Sequence, residues 1–243
     1  MRLSITMAAL LLGAGMCASS VAGAAPSLAG GNIYNWPDVG TGMWAAVMQG
    51  FGTGAVRLKF PLTPAAAAAR AAAVKKLAGS ASCDPVGPIG IISAGFPLKF
   101  YFTPGEIVIM SDMDALWVRH VYMDGLPHHD YGPTYEGHSV GHWEGQTLVV
   151  DTTDLSPKVN LASGVPASAT SHLIERYTLL SPDKMTLKLT VIDPAVMTGP
   201  WSTTQAYVRH RDWEIEDTFC GEGNRDAPDD NGNAKVDLTP PTS

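Results

Sequence analysis

The stretch ERYTLLSPDKMTLKLTVIDP, residues 175–194, decides the fold class of this chain. Residues 181–184 read Ser-Pro-Asp-Lys, and proline at the second position is typical of a type I β-turn. Beyond the turn, apolar residues alternate with polar ones: Met185, Leu187, Leu189 and Val191 against Lys184, Thr186, Lys188 and Thr190. A period of two is typical of a strand with one buried side and one solvent-facing side, so the stretch predicts an antiparallel hairpin.

The register of this hairpin predicts a polar group on its buried side. We expect Leu180 to pair with Met185, which turns Arg176 inward and sets His172 opposite Asp193. Charged groups are rarely buried without a partner or a role. His172 therefore becomes a candidate acid–base residue, Asp193 its orienting carboxylate and Arg176 a charge stabiliser. The same three residues also fit a purely structural polar layer.

A second hairpin is predicted from GHSVGHWEGQTLVVDT, residues 137–152. A two-residue loop at Glu144-Gly145 pairs Trp143 with Gln146 and sets His138 opposite Asp151, the second candidate acid–base pair. One face then carries His138, Val140, His142, Thr147, Val149 and Asp151, and the other carries Trp143, Leu148 and Val150. A three-residue loop would slip the register and separate His138 from Asp151, so the pairing stays open.

Short strand-like runs separated by turn signals continue from Leu98 to Phe219 without an amphipathic helix between them. This spacing predicts an all-β fold, an antiparallel lipocalin-like β-barrel with one peripheral N-terminal helix. We expect that helix in the alanine-rich residues 63–79, with Thr63 as its N-cap, and a Pro- and Gly-rich connection at residues 83–97. A barrel of about eight strands is wide enough to hold one small ligand.

The N-terminus is typical of a signal peptide, because Arg2 precedes an apolar run at residues 7–16 and Ala22-Gly23-Ala24 fits a cleavage site. We expect residues 1–24 to be removed and the protein to be periplasmic or secreted. A lipid anchor at Cys17 or a retained N-terminal helix is the alternative. The remaining chain divides into a flexible segment at 25–41, the β-barrel domain at 42–224 and a disordered acidic tail at 225–243.

Two cysteines, Cys83 and Cys220, remain after removal of the signal peptide. An even number of cysteines in an exported protein favours a disulfide, so we predict the pair Cys83–Cys220. Two separate buried thiols are the alternative.

Composition and spacing argue against several function classes. The formal net charge of −7, without a basic patch, argues against nucleic-acid binding, and no segment after the signal peptide predicts stable membrane insertion. His138 and His142 lie about 13 Å apart if both are on one strand, too far apart to share a metal ion. We therefore assign no metal and no cofactor. The GHSVG outline around Ser139 lacks the helix that a nucleophile elbow needs.

Eight short pieces follow one another in order between residues 44 and 224: PLTP at Pro61, CDPVGPIG at Cys83, FTPGEIVIM at Phe102, MDGLPHHD at Met123, GHSVGHWEGQTLVVDT at Gly137, SHLIERY at Ser171, VIDP at Val191 and PW at Pro200. Together they resemble a family of exported, mostly uncharacterised bacterial proteins with GHSxGxWEGxTLVVDT and HxxER motifs. The chain departs from that pattern at LPHH, where relatives commonly have an RPHP-like piece, and in its alanine-rich helix. GMW at Gly42 is also similar to the G-x-W that opens lipocalin-like barrels.

The resemblance implies no activity. It supports the domain limits and a set of residues for testing: His128, His138, Asp151, His172, Glu175 and Arg176.

Two function classes remain open. In the first, the protein is an isomerase or lyase that uses His/Asp acid–base chemistry on a small, largely apolar molecule in the barrel cavity, for example by epoxide opening or elimination. In the second, the same pocket binds such a molecule without turnover. We assign ligand binding to His128, Tyr135, Trp143 and Trp201 in either class.

Overall fold

The computed structural model describes residues 36, 41–47, 59–77, 85–111, 117–129, 132–162 and 164–216 of the chain. The elements in chain order are β1 (Met43–Ala46), α1 (Pro64–Leu77), α2 (Gly87–Ala94), β2 (Lys99–Thr103), β3 (Glu106–Ser111), β4 (Trp117–Tyr122), β5 (His138–Glu144), β6 (Thr147–Thr153), β7 (Asn160–Ala162), β8 (Val165–Pro166), β9 (His172–Ser181), β10 (Lys184–Ile192) and β11 (Trp201–His210). Strands therefore dominate, as the alternation of apolar and polar residues predicts.

Nine of these strands form one sheet in the order β1-β11-β10-β9-β6-β5-β4-β3-β2, and β7 and β8 form a separate two-stranded sheet. The two edge strands approach each other, since the backbone N–H of Trp44 donates to Leu98 O at 2.7 Å and that of Leu98 donates to Trp44 O at 2.9 Å. The sheet is a nearly closed barrel. The predicted all-β barrel fold is confirmed.

One neighbouring pair of strands in the barrel is parallel. Val121 of β4 pairs with Ser139 of β5, and Tyr122 pairs with Val140, whereas the other strand pairs of the sheet are antiparallel. Strands that alternate in direction cannot close a ring of nine without one parallel pair. Parallel neighbours also need a long return connection, and residues 123–137 supply it between β4 and β5.

The alanine-rich helix α1 begins at Pro64, where Thr63 caps it: the Thr63 side-chain oxygen accepts from the Ala66 N–H at 3.3 Å. The stretch predicted as a Pro- and Gly-rich connection also contains the short helix α2. That helix forms because Ile89, Ile91 and Ile92 are buried against the rest of the molecule.

The β9–β10 hairpin has the predicted turn but not the predicted register. Ser181 pairs with Lys184, and a bulge then shifts the pairing, so that Met185 lies opposite Leu179. Leu180 is left 63% exposed on the bulge. The bulge turns one set of β9 side chains inward, namely Leu173, Glu175, Tyr177 and Leu179, and the other outward, namely His172, Ile174, Arg176 and Thr178.

The predicted inward layer of His172, Arg176 and Asp193 is therefore wrong. His172 lies opposite Ile192 and not opposite Asp193. The physical reason is burial: the observed register places two leucines and a tyrosine of β9 on the core side, and the expected one would have placed Thr178 and Arg176 there.

The β5–β6 hairpin turns one residue later than expected. Glu144 pairs with Thr147, so Asp151 lies opposite Val140, and His138 lies opposite Thr153. The pairing of His138 directly with Asp151 is therefore wrong. The shift equals two residues, however, so both predicted faces are preserved and His138 and Asp151 still share one face.

Several predictions concern residues outside the described ranges: the signal peptide, the segment at 25–41 apart from residues 36 and 41, Cys83, Cys220 and the acidic tail. They stay predictions. No helix among the described residues combines the length and the apolar character that a membrane span requires.

Candidate functional site

Polar side chains form two separate groups on the two faces of the barrel wall. We call the inward group, Arg119, Ser139, Thr152, Glu175 and Tyr177, the inner network. We call the outward group, Tyr122, His128, His138, Asp151 and His172, the outer histidine cluster. Strands β4, β5, β6 and β9 contribute to both groups, because successive side chains of a strand point to opposite faces.

The inner network centres on an ion pair between Arg119 and Glu175, whose side chains are 1% and 0% exposed. Two guanidinium nitrogens of Arg119 donate to the two carboxylate oxygens of Glu175, at 3.0 and 2.5 Å. The Arg119 Nε–H donates to Ser139 Oγ at 3.0 Å, and its Nη2–H donates also to Thr152 Oγ1 at 2.5 Å. The Tyr177 hydroxyl donates to Glu175 Oε1 at 2.6 Å.

The charged groups of this network are paired and enclosed by the core, so the loss of one partner would leave the other buried and unpaired. Burial and the nearby Glu175 charge raise the pKa of Tyr177 well above its ordinary value, so its hydroxyl stays a donor. Ser139 is 1% exposed and bound to Arg119 and Thr152, which leaves it no role as a nucleophile. Arg119, Thr152 and Tyr177 are not among the candidate residues selected from the sequence. The strand around Arg119 does alternate Trp117, Arg119 and Val121 inward.

The Asp193 carboxylate stabilises a turn and does not orient His172. Its carboxylate accepts from the backbone N–H of Ser168 at 3.0 Å, from the Ser171 hydroxyl at 2.5 Å and from the Ala195 N–H at 3.1 Å. These bonds lower the pKa of Asp193 against the opposing effect of burial. The predicted role of Asp193 as the orienter of His172 is therefore wrong.

Arg176 lies on the outer face, four residues along β9 from His172. Its guanidinium donates to both carboxylate oxygens of Glu144, at 3.2 and 2.5 Å. Hydrogen bonds from Arg176 and His142 lower the pKa of Glu144 to about 2. Arg176 and Glu144 are both more than a third exposed, so this is a surface ion pair outside the histidine cluster.

The outer histidine cluster is joined by one carboxylate oxygen. His172 Nε2 lies 2.6 Å from Asp151 Oδ1, and His128 Nε2 lies 3.1 Å from the same oxygen. An ionised carboxylate only accepts, so both imidazoles present an N–H to it. His172 comes from β9, Asp151 from β6 and His128 from the connection between β4 and β5.

A third imidazole extends the chain of contacts. His128 Nδ1 lies 2.9 Å from His138 Nδ1. Because His128 uses its Nε2–H for Asp151, its neutral form has a free lone pair on Nδ1, and His138 is the donor in this contact. His138 also stacks on Tyr122, with ring centroids 5.1 Å apart. Burial and the neighbouring His128 and His129 lower the pKa of His138, which favours its neutral form.

The exposure of the cluster falls from one end to the other. The side chains of His172, Asp151 and His128 are 34%, 33% and 25% exposed, whereas His138 is 6% exposed. The accessible end therefore carries a histidine oriented by a carboxylate, and the covered end carries the histidines that support it. Of the predicted site residues, the structure brings together His128, His138, Asp151 and His172.

The neighbouring strand β6, and not the hairpin partner β10, brings Asp151 to His172. Asp151 pairs with Ile174 across β6 and β9, which leaves His172 diagonal to Asp151 on the same face. Residue spacing within either hairpin does not predict this contact, because the contact depends on β6 and β9 being neighbours in the sheet.

The predicted ligand-binding aromatics are dispersed. Trp143 is buried inside the barrel, stacked on Phe102 with centroids 6.4 Å apart. Trp201 packs on Phe60 at 4.3 Å, and Lys158 Nζ lies 5.8 Å from the centre of the Tyr135 ring. The predicted set of His128 with Tyr135, Trp143 and Trp201 is therefore not one pocket lining.

Across the described part of the chain, no group of three or more histidine, cysteine or acidic side chains is arranged to hold a metal ion. Neither the comparison with protein-family models nor the comparison with curated proteins gives a match.

Proposed function

We propose that the protein is an acid–base enzyme, an isomerase or lyase acting on a small, largely apolar organic molecule, with His172 as the proton carrier. The observation that carries this proposal is the 2.6 Å contact between His172 Nε2 and Asp151 Oδ1 at a site where both side chains are about a third exposed. Asp151 takes the orienting role that the sequence had suggested for Asp193.

The proton inventory of the pair supports this role. With its Nε2–H donated to Asp151, neutral His172 carries its lone pair on Nδ1, where it can accept a proton from a substrate carbon. The electrons of the broken C–H bond expel a leaving group from the adjacent carbon, or move to form a displaced double bond. The imidazolium then returns its proton to the leaving group or to the new carbon position. Asp151 stabilises the transient positive charge throughout.

His128 and His138 act as positioning residues in this proposal. His128 holds Asp151 Oδ1 from a second side at 3.1 Å, and His138 fixes the tautomer of His128. Such outer hydrogen bonds restrict the rotation of the groups that carry the reaction. They give a reason for the arrangement in which two histidines contact Asp151 and a third contacts His128.

The apolar surroundings support the substrate class. Val140 and Ile174 lie directly opposite Asp151 on its two neighbouring strands, face outward and are half-buried. A substrate whose carbon skeleton rests on these side chains would present one C–H bond to His172. We propose this outer site for the reaction in place of the barrel interior.

Two further arguments support the proposal that the enzyme is exported and needs no cofactor. The N-terminal features of a signal peptide and the even number of cysteines that remain after it, Cys83 and Cys220, favour an oxidising compartment. The proton-transfer step above consumes no oxidant, reductant or second substrate.

Deuterium exchange at carbon tests the proposal whichever product is formed. The mature protein is incubated in D2O with a panel of small epoxides, β-hydroxy ketones and unsaturated ketones, and carbon-bound deuterium and new products are followed by NMR and mass spectrometry. We expect wild-type protein to act on part of the panel, and His172→Ala and Asp151→Asn to lose about a hundredfold or more in rate.

The matched control is His142→Ala. His142 is also an outward histidine with a carboxylate partner, Glu144 at 3.3 Å, but it is outside the outer cluster, so this variant should retain the wild-type rate. Equal rates for His172→Ala and wild type would overturn the assignment. Panel compounds that perturb the His172 resonances but never exchange or react would instead favour the alternative, a binding protein without turnover.

A further inference from the structure

A tryptophan from the N-terminal part of the chain is buried within the barrel. Trp36 is 1% exposed and precedes the first strand. Its ring meets three others edge-on, with centroids 5.9 Å from Phe100, 6.3 Å from Phe102 and 5.3 Å from Trp143. Its Nε1–H donates to the backbone oxygen of Gln146 at 2.9 Å.

The barrel itself provides all of these contacts. Phe100 and Phe102 belong to β2, Trp143 belongs to β5, and Gln146 lies in the β5–β6 turn. Tyr177 of β9 supports the group from behind, with its ring centroid 5.5 Å from that of Phe100. We call these five residues the aromatic cage. The cage is formed by the barrel, and its occupant is an indole from outside the strands.

The geometry of the cage defines the chemistry of a ligand. Edge-to-face contacts favour a planar aromatic ring, because ring edges are positive and ring faces are negative. The Gln146 backbone carbonyl that accepts from Trp36 favours a ligand with an N–H donor in the same place, because a buried carbonyl without a donor is costly. The interior of a barrel of about eight strands is wide enough to hold one small molecule.

We propose that the aromatic cage is a binding site for planar heteroaromatic molecules with one N–H group, of about the size of indole, and that Trp36 occupies it in the absence of ligand. This site is independent of the outer histidine cluster, because its residues point to the opposite side of the barrel wall. Trp143, predicted from sequence as a ligand-binding residue, is one of its walls.

Competition with Trp36 gives the proposal a quantitative consequence. A ligand binds only to molecules in which the Trp36 ring is out of the cage. Its apparent dissociation constant is therefore the intrinsic constant divided by the fraction of such molecules. We expect free indole to bind Trp36→Gly at least about tenfold more tightly than it binds the wild-type protein. Binding to wild type must still be measurable, since a natural site has to admit its ligand.

Indole itself is the probe, added to the mature wild-type protein and to Trp36→Gly. In wild type we expect the Trp36 Nε1–H resonance to shift as indole displaces the side chain. In Trp36→Gly we expect the melting temperature to fall by several degrees and indole to restore most of the loss. N-methylindole, which cannot donate to Gln146 O, should bind Trp36→Gly about fivefold or more weakly than indole does.

Trp201→Gly is the matched control, because Trp201 also packs on a ring, that of Phe60, but lies outside the cage. Indole should not restore its stability. If Trp36→Gly does not fold, Trp36→Phe replaces it: this variant keeps a ring in the cage but leaves Gln146 O without its donor, so indole should displace the phenyl more readily than it displaces Trp36. The decisive observation is made on wild type at an indole concentration that saturates Trp36→Gly. If the Trp36 resonance of wild type is unchanged at that concentration, the proposal is overturned and the cage is an ordinary part of the core.

Discussion

At the scale of single residues, burial separates the charged groups that stabilise the barrel from those that are free to react. Arg119 and Glu175 are enclosed and bound to each other through two hydrogen bonds. Asp151 and His172 are bound to each other as closely but remain a third exposed. A proton carrier needs access to a substrate, so the exposed pair and not the buried pair is the candidate site.

Removing the charge of Glu175 should destabilise the fold strongly. Glu175→Gln leaves the Arg119 guanidinium buried without a counter-charge, at a cost of about 3–5 kcal/mol in the free energy of unfolding. Replacing both residues, as Arg119→Met with Glu175→Leu, should cost less than Glu175→Gln alone. Urea denaturation of wild type and these variants measures the difference. A loss below about 1 kcal/mol for Glu175→Gln would show that the pair is not the buried ion pair described above.

Glu136 should make stability fall as the pH rises through neutrality. Burial raises the pKa of Glu136 from 4.5 to about 7, with the nearby Arg119 charge lowering it and the Glu175 charge raising it. The folded protein then binds more protons than the unfolded chain between these two values. The stabilisation is complete below about pH 4.5 and is lost as the pH rises through about 7.

The difference in unfolding free energy between wild type and Glu136→Gln isolates the contribution of Glu136 from that of other groups, which both proteins share. Between about pH 4.5 and 7 this difference should change by about 3 kcal/mol at most, with wild type relatively more stable at the low-pH end. Parallel stability curves for the two proteins between about pH 4.5 and 7.5, within about 0.5 kcal/mol, would refute the assignment.

At the scale of elements, the β9–β10 hairpin shows how far a sequence pattern determines a strand pair. Pro182 and the alternation of β10 correctly predicted the turn and the buried face of that strand. The pattern of β9 is mixed, and nothing in the turn residues indicates the bulge between Lys184 and Met185. The register of β9 was decided by packing in the core, which a single hairpin does not contain.

Because of the bulge, two leucines of this hairpin should differ in how strongly their substitution destabilises the protein. Leu180 is 63% exposed, so Leu180→Asn should change the free energy of unfolding by less than about 0.5 kcal/mol. Leu187 is fully buried opposite Tyr177, so Leu187→Ala should cost about 2–5 kcal/mol. Thermal and urea unfolding of both variants decide the matter. Equal losses would support the unbulged register, in which Leu180 pairs with Met185 and faces the core.

At the scale of the whole molecule, closure of the barrel assembles the candidate site. Strand-like runs and turn signals were sufficient to predict the barrel, because each run encodes its own buried face. They could not predict that β4 and β5 are parallel, or that the return connection carries His128 over the outer face to Asp151. The correct residues were therefore chosen as candidates, while their partners depended on strand order.

The proposed enzyme depends on the orientation of His172 by Asp151 on the outer face of the barrel. Long-range 1H–15N NMR of the imidazoles tests it most directly, in wild type, Asp151→Asn and Asp193→Asn. We predict that wild-type His172 is held as the Nε2–H tautomer, that Asp151→Asn releases it to a mixture of tautomers, and that Asp193→Asn leaves it unchanged. A His172 spectrum that is insensitive to Asp151→Asn but altered by Asp193→Asn would contradict the account.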